Sequence, residues 1–278
     1  MRSSFTFRPD GSAVPELPEV ETITRALELR LKGRRILNAE FRCRRVLIGD
    51  PDRTASALTG HTIRDVRRHG KFIEIELDGG QSLVVHLGMT GKLLMNTAPG
   101  KHTHAILTLD HGALLYDDSR QFGRLELSQG LPVRVRKLGP EPLEVTLGEF
   151  RHRLRGRKTR MKALLLNQRF LRGIGNIYAD EALFRAGVHP LAFASRLRPD
   201  RVKKLHAAIR QVLGEAIAAG GSSISDYVDI DGRQGSFQVR HNVYQKAGEA
   251  CPRCGITIRR ILVAQRGTHY CPGCQKKK

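Results

Sequence analysis

Lys71-Phe72-Ile73-Glu74-Ile75-Glu76-Leu77-Asp78-Gly79-Gly80-Gln81-Ser82-Leu83-Val84-Val85-His86-Leu87 alternates apolar and charged residues, turns through Asp-Gly-Gly, and resumes as a second apolar run. A period of two sends successive side chains to opposite faces of a strand, and glycine supplies the backbone freedom a tight reversal needs. The same design recurs where Ala105-Ile106-Leu107-Thr108-Leu109 and Ala113-Leu114-Leu115-Tyr116 flank Asp110-His111-Gly112. Repeated short strands joined by tight turns across residues 34–130 predict an antiparallel β-sandwich or barrel.

Ahead of these strands the period changes. Val20, Ile23, Leu27 and Leu31 recur at three and four residues, Pro18 suits a first helical turn and Gly33 suits the stop, so a helix is expected here. Glu16 and Glu19 then lie at its N-terminus, where unpaired amides favour carboxylates; ordinary capping accounts for both as readily as chemistry does. Behind the strands, Pro132, Pro140 and Pro142 break the pattern, and residues 139–147 read as a linker. Residues 151–172 carry nine Lys or Arg and no acid around the apolar run Met161 to Leu166, which predicts a helix with one anion-facing side. Gly173-Ile174-Gly175-Asn176-Ile177-Tyr178 is a glycine-rich turn entering a helix, a place where free amides bind phosphate and Asn176 adds a side-chain donor. Val202, Leu205, Ile209, Leu213 and Ala216 then mark the core face of a helix from Pro199 to about Ala219. The Gly- and Ser-rich residues 222–237 read as a long mobile loop, suited to closing over a ligand.

A net charge of +21 on 278 residues points to a polyanionic partner, with nucleic acid, acidic lipid and acidic protein as candidates. No apolar run reaches the roughly 18 to 20 residues that cross a bilayer. Of five cysteines, Cys251-x2-Cys254 and Cys271-x2-Cys274 form two knuckles, the thiolate set of a closed tetrahedral zinc site, and Cys43 is left as an inert thiol. This usage indicates metal rather than disulfides and a reducing compartment. Between the knuckles, Ile256 to Val263 and Thr268 to Tyr270 read as a β-hairpin carrying Arg259, Arg260 and Arg266; residues 251–278 hold seven basic residues and no acid, as a nucleic-acid contact would.

Six ordered blocks carry a family resemblance: Pro15-Glu16-Leu17-Pro18-Glu19-Val20-Glu21, Gly70-Lys71, His86-Leu87-Gly88-Met89-Thr90-Gly91, Asp118-Ser119-Arg120-Gln121-Phe122-Gly123, Gly175-Asn176-Ile177-Tyr178-Ala179 and Gln265-Arg266-Gly267-Thr268-His269-Tyr270-Cys271. With the cysteine spacing, they resemble a formamidopyrimidine-DNA glycosylase, the bifunctional base-excision repair enzyme for oxidised purines. The resemblance implies an α+β multidomain chain: an N-terminal antiparallel β-sandwich with an N-terminal helix, a helical helix-two-turn-helix domain and a C-terminal zinc-finger β-hairpin. It divides the sequence into an extension at 1–13, a catalytic sandwich domain at 14–138, the linker 139–147, the DNA-binding domain 148–238 and the finger 239–278.

The resemblance also assigns roles. Pro15 becomes the nucleophile that attacks C1′ of the damaged nucleotide. An α-amine with a pKa of about 7.7 to 8.0 is free base near neutrality more often than lysine at about 10.4, and a secondary amine yields an iminium that drives β- and δ-elimination. Glu16 becomes the proton shuttle, Glu19 its support, and Lys71, Asn176 and Arg266 the holders of the flanking phosphates. Met89, Arg120 and Phe122 match the residues that fill the hole left by the flipped nucleotide, with arginine reading the orphaned cytosine. His86 and Tyr178 join the DNA-binding set, and Cys251, Cys254, Cys271 and Cys274 hold one structural zinc. The expected partner is duplex DNA with oxidised bases or abasic sites, met by a monomer in the bacterial cytoplasm at the nucleoid.

Two departures stand out. Gln121 replaces a second arginine, which removes one ionic phosphate contact. An internal proline nitrogen is a fully substituted amide, so the thirteen residues before Val14 disable Pro15 as written. Val14 stands where an initiator is expected, and the extension reads as an early-called start or a tag. Two rivals share the scaffold: an endonuclease VIII-type glycosylase for oxidised pyrimidines, and a non-catalytic sensor of damaged DNA.

Overall fold

Helix α1 (Leu17–Leu31) belongs to two cores at once. Its Val20, Ile23, Leu27 and Leu31 are sealed into an N-terminal β-sandwich, while Leu17, one turn earlier, packs with the apolar residues of a C-terminal helical half. The computed structural model describes residues 14–224 and 226–277, so the expected extension at 1–13 lies outside the described residues.

The sandwich is built from β1 (Ile36–Phe41), β2 (Leu47–Ile48), helix α2 (Pro51–Leu58), β3 (Ile63–His69), β4 (Phe72–Leu77), β5 (Gln81–His86), β6 (Gly91–Met95), β7 (Thr103–Leu109), β8 (Ala113–Asp118) and β9 (Arg124–Gln129). One sheet runs β1-β7-β8-β6 and the other β2-β9-β5-β4-β3. All pairs are antiparallel except β2 with β9, where Leu47 and Leu125 face one another in a short parallel bridge. The alternation over residues 71–77 is realised on β4: Ile73, Ile75 and Leu77 are fully buried between the sheets. Glu74 is buried on the opposite face, where His69 Nε2 at 2.8 Å and the Ser82 hydroxyl at 2.7 Å satisfy it.

The helical half contains α3 (Val133–Arg136), α4 (Leu147–Leu154), α5 (Met161–Leu165), α6 (Asn176–Ala186) and α7 (Pro199–Ala218). The single basic helix expected over 151–172 is instead broken. Helix α4 ends at Leu154, Gly156 takes a positive φ of 69°, and α5 restarts at Met161. Residues 155–160 lack an apolar face to bury, and helical order returns only where Met161, Leu164 and Leu165 enter the core.

Segment 222–237 is also not the free loop its composition suggested. Ile230 is fully buried in the sandwich core, its carbonyl accepts the Met95 amide at 3.1 Å, and Asp231 receives both Arg30 guanidinium nitrogens at 2.6 and 2.7 Å. The described part of the segment is a strap tying the helical half to the sandwich. Burying one isoleucine contributes on the order of 2 kcal/mol, enough to hold such a strap down. At the C-terminus β10 (Arg259–Val263) and β11 (Arg266–Tyr270) form the expected hairpin, turning through Ala264 and Gln265, both at positive φ.

Candidate active site and nucleic-acid interface

A cleft of about 490 Å³ opens at the seam of the halves, with Val14, Glu16, Lys71, His86, Asn176 and Arg266 among its walls. Five chain segments separated in sequence therefore meet at one place. The mechanism of convergence is the glycine turn before α6. The Leu17 amide donates to the Gly173 carbonyl at 3.0 Å, which fixes the start of α1 against that turn.

Glu16 points its carboxylate into the N-terminus of α6, accepting from the amides of Gly175 at 2.8 Å, Ile177 at 2.9 Å and Tyr178 at 3.4 Å. The orphan amides that the sequence offered to a phosphate are taken by the protein's own carboxylate. A Cβ on Gly175 would fall 2.3 Å from Glu16 Cδ and 2.5 Å from Lys71 Nζ, so glycine is required here for close approach rather than for its φ. Burial pushes the Glu16 pKa up, against the pull of Lys71 and of the Ile177 and Tyr178 amides. Lys71 moves down because burial outweighs the attraction of Glu16 and Glu19. An acid made easier to protonate beside an amine made easier to deprotonate is a pair whose proton affinities have moved towards each other.

Glu19 sits one turn along. Its carboxylate accepts from the Glu16 amide at 2.8 Å, the Tyr178 hydroxyl at 2.5 Å and the Ser222 amide at 2.7 Å. Burial and then the neighbouring Glu16 charge raise its pKa to about 7. Tyr178, expected among the DNA contacts, is 1% exposed with its hydroxyl on Glu19. It supports the carboxylate from behind and does not face the cleft. His86 does, its ring tilted 52° to that of Phe72 with centroids 4.9 Å apart, and burial with the Lys71, Arg134 and Arg124 charges holds its pKa down at about 4. Asn176 uses its amide to donate to the Gly267 carbonyl at 2.9 Å, so it ties α6 to the finger hairpin that carries Arg266.

Met89, Arg120 and Phe122 form a separate cluster on the sandwich. The Arg120 guanidinium lies 4.9 Å from the Phe122 ring centroid, and Phe122 is 46% exposed. An apolar ring left in solvent beside a cation suits insertion into a base stack. Asp118, which sequence reasoning passed over, holds this cluster together. Wholly buried, it accepts from the Thr90 hydroxyl at 2.5 Å, the Tyr116 hydroxyl at 3.0 Å, the Arg120 amide at 3.2 Å and the Gly123 amide at 2.8 Å. It thereby joins the loop of Met89 to the loop of Phe122. Its place at the head of the Asp-Ser-Arg-Gln-Phe-Gly block was the available signal.

Two buried acids on α6 were likewise missed. Asp180 takes Lys162 Nζ at 2.6 Å and the His269 amide at 2.9 Å, and Glu181 takes the amides of Asn242, Val243 and Tyr244 at 2.9 to 3.0 Å. An Asp-Glu pair inside an otherwise apolar helix marks charges that need buried partners. These two fasten the finger to the helix that holds Glu16.

In the finger the Sγ atoms of Cys251, Cys254, Cys271 and Cys274 all lie within 4.8 Å of one another, with separations of 3.9 Å for Cys251 to Cys274 and 3.4 Å for Cys254 to Cys271. A tetrahedron of thiolates about 2.3 Å from zinc has edges near 3.8 Å, so the set fits the ion. Cys43 is half-buried and remote from this group, as expected of the leftover thiol.

Residues 14–125 match the domain family described as the formamidopyrimidine-DNA glycosylase N-terminal domain, 138–228 the H2TH domain of the same glycosylase, and 248–277 a zinc finger found in FPG and IleRS. The formamidopyrimidine-DNA glycosylase of Solibacter usitatus is 58% identical over 265 residues, spanning 95% of this chain and 100% of the relative. That of Chloroflexus aurantiacus is 46% identical over 271 residues, 94% and 98% of the respective chains. Among solved structures, a Lactococcus lactis FPG variant in complex with Fapy-dG containing DNA superposes with a TM-score of 0.88 at 39% identity, covering 95% of this chain and 100% of that one. The MutM (FPG) protein of Thermus thermophilus gives 0.86 at 42%, with the same coverage.

Proposed function

The chain belongs to the formamidopyrimidine-DNA glycosylase family, and from that premise we propose that it excises oxidised purines through a Schiff base on Pro15, with Glu16 moving the proton and Lys71 steering the phosphate. As a member it is a DNA base-excision repair glycosylase with abasic-site lyase activity, and its finger binds one structural zinc. The observation that carries the residue assignment is the Glu16 carboxylate on the amides opening α6, with Lys71 Nζ beside it at the cleft wall.

The chemistry follows from that placement. The Pro15 nitrogen, as a free secondary amine, forms the bond to C1′ while the base leaves with a proton. Loss of the sugar oxygen's bond to C1′ gives a cationic iminium, which acidifies the C2′ proton and lets the 3′ and then the 5′ phosphate depart. Glu16, shifted towards protonation by burial, donates to the sugar oxygen and afterwards takes a proton back. Lys71 and Arg266 supply positive charge for the phosphates; Met89, Arg120 and Phe122 fill the vacated stack and read its partner base. None of this runs on an acylated nitrogen, so the reading requires Pro15 to be the first residue of the active protein. We place the enzyme as a monomer on the bacterial chromosome, its +21 charge directed at DNA.

Borohydride reduction on duplex DNA with 8-oxoguanine opposite cytosine tests this. Protein beginning at Pro15 is expected to form a covalent adduct that the Pro15→Gly variant loses in part and the full 278-residue chain loses entirely. Tight binding without adduct or cleavage would favour the sensor reading, and a clear preference for oxidised pyrimidines would favour the endonuclease VIII-type one.

A further inference from the structure

Behind Glu19, on the side away from the cleft, runs a line of buried hydroxyls that ends on an imidazole. Glu19 Oε1 lies 2.5 Å from the Tyr178 hydroxyl, that hydroxyl lies 3.2 Å from Ser222 Oγ, and Ser222 Oγ lies 3.1 Å from His241 Nε2. Each of the four residues is at most 5% exposed. Core packing alone would be met by apolar side chains, whereas each polar atom here is matched to the next.

The chain has two complete settings. With Glu19 ionised, its oxygen only accepts, so Tyr178 donates to Glu19, Ser222 to Tyr178, and His241 Nε2–H to Ser222. With Glu19 protonated on Oε1, every bond reverses and His241 Nε2 accepts. Passing from the first setting to the second, starting from doubly protonated His241, shifts one proton at each link: Nε2 to Ser222, Ser222 to Tyr178, Tyr178 to Glu19. Glu19 ends neutral and His241 ends neutral with its proton on Nδ1, so no other reactant is needed.

We propose that Glu19 exchanges its proton through this chain, with His241 as the terminal that loads and unloads it. His241 is then a positioning residue that never meets DNA and acts through Glu19. The proposal rests on the reading of Glu16 and Glu19 as the active site. The electrostatics agree with the geometry. Burial and Glu16 raise Glu19, with Tyr178 hydrogen-bonded to it, Tyr227 behind it and Lys71 drawn towards it. Burial lowers His241, Lys246 adds to that, and Glu181 on α6 opposes it, with Phe237 and Tyr244 walling the ring. The opposite shifts invert the usual order of a carboxylate and an imidazole, so a proton loaded on His241 passes downhill to Glu19.

The experiment uses protein beginning at Pro15 and measures single-turnover release of 8-oxoguanine from about pH 5.5 to 8.5, a span that brackets the Glu19 value of about 7. His241→Ala should slow base release about tenfold, a modest part of what general acid–base catalysis supplies. Imidazole added to the buffer should restore the rate, while pyrazole, of the same shape but a far weaker base, should not. Ser222→Ala, which cuts the chain yet leaves the Ser222 amide on Glu19, should show the same loss and the same altered pH profile. Equal rescue by pyrazole would mean a merely space-filling ring and would overturn the proposal. Should neither compound restore the rate, Ser222→Ala decides: a wild-type profile overturns the chain and a matching loss upholds it. Borohydride trapping on a preformed abasic site, run in parallel, separates the two readings. Absence of any adduct in the parent protein sinks the Pro15 assignment, whereas normal trapping with an unmoved profile sinks only the relay.

Discussion

Gly175→Ala is the most discriminating single change in the site. The new methyl carbon would stand 2.3 Å from Glu16 Cδ, 2.5 Å from its Oε1 and 2.5 Å from Lys71 Nζ, all well inside the 3.4 Å at which ordinary contact begins. The backbone itself tolerates alanine, because Gly175 has φ −125° and ψ −154°, extended geometry open to any residue. Strain is therefore relieved by driving the Glu16 carboxylate off the amides of Gly175 and Ile177. A hydrogen bond to a charged group is worth about 1.5 to 3 kcal/mol, so losing one misplaces the proton donor at a cost of roughly 10- to 150-fold in rate. On the proposed reading binding rests on Arg266, Lys71 and the finger, and should fall far less. Single-turnover base release measured beside affinity for DNA carrying an uncleavable abasic analogue gives both numbers. Wild-type base release by a folded, zinc-loaded Gly175→Ala protein would refute the placement of Glu16 as the proton donor.

Four other perturbations are equally concrete. Lys162→Met strands the Asp180 carboxylate that Lys162 meets at 2.6 Å with both side chains fully buried; about 3 to 5 kcal/mol should be lost, a fall in Tm on the order of 10 °C by calorimetry, and an unchanged Tm would contradict the ion-pair reading. Glu19 is raised from 4.5 to about 7, so the folded state binds its proton more tightly than the unfolded state. Its stabilising contribution is therefore full below about pH 4.5 and fades as pH rises through 7, by about 3 kcal/mol in all; the difference between wild type and Glu19→Gln in denaturant titrations should follow that slope, and a flat difference would reject it. Cys254→Ser should release zinc and abolish DNA binding, and full affinity in metal-free protein would dispose of the zinc argument; Arg266→Ala should weaken binding to every duplex and lower the salt slope by about one, which a salt titration reads directly.

The parts of the molecule that obey a local period could be read from the sequence. On β4 the alternation of Ile73, Ile75 and Leu77 depends only on neighbouring residues, and on α1 the spacing of Val20, Ile23, Leu27 and Leu31 does too. The cysteine knuckles are equally local, since each pair brings its own geometry. What escaped is long-range. Residues 155–160 kept helical composition without an apolar face, and residues 222–237 looked like a loop because nothing in Gly, Ser and Asp announces that Ile230 inserts into a sandwich some two hundred positions earlier in the chain. Tyr178 was misplaced for the same reason. Its block is at the cleft, yet the helical turn rotates its side chain inward onto Glu19.

The long-range bonds also explain why two carboxylates on one helix can have separate duties. Glu16 and Glu19 are three residues apart on α1, a helix whose body is sealed into the sandwich, but neither carboxylate is held by the sandwich. Glu16 is gripped by the amides that open α6, and Glu19 by Tyr178 on α6 and by Ser222 at the root of the strap. Both acids are therefore held across the seam between the sandwich and the helical half. Glu16 faces the cleft with Lys71 and is placed to meet substrate, whereas Glu19 faces away and registers the strap. The same strap is pinned by Ile230 and by Asp231 on Arg30, and it meets Glu19 at two residues, the Ser222 amide on the carboxylate and the Tyr227 hydroxyl on the backbone carbonyl.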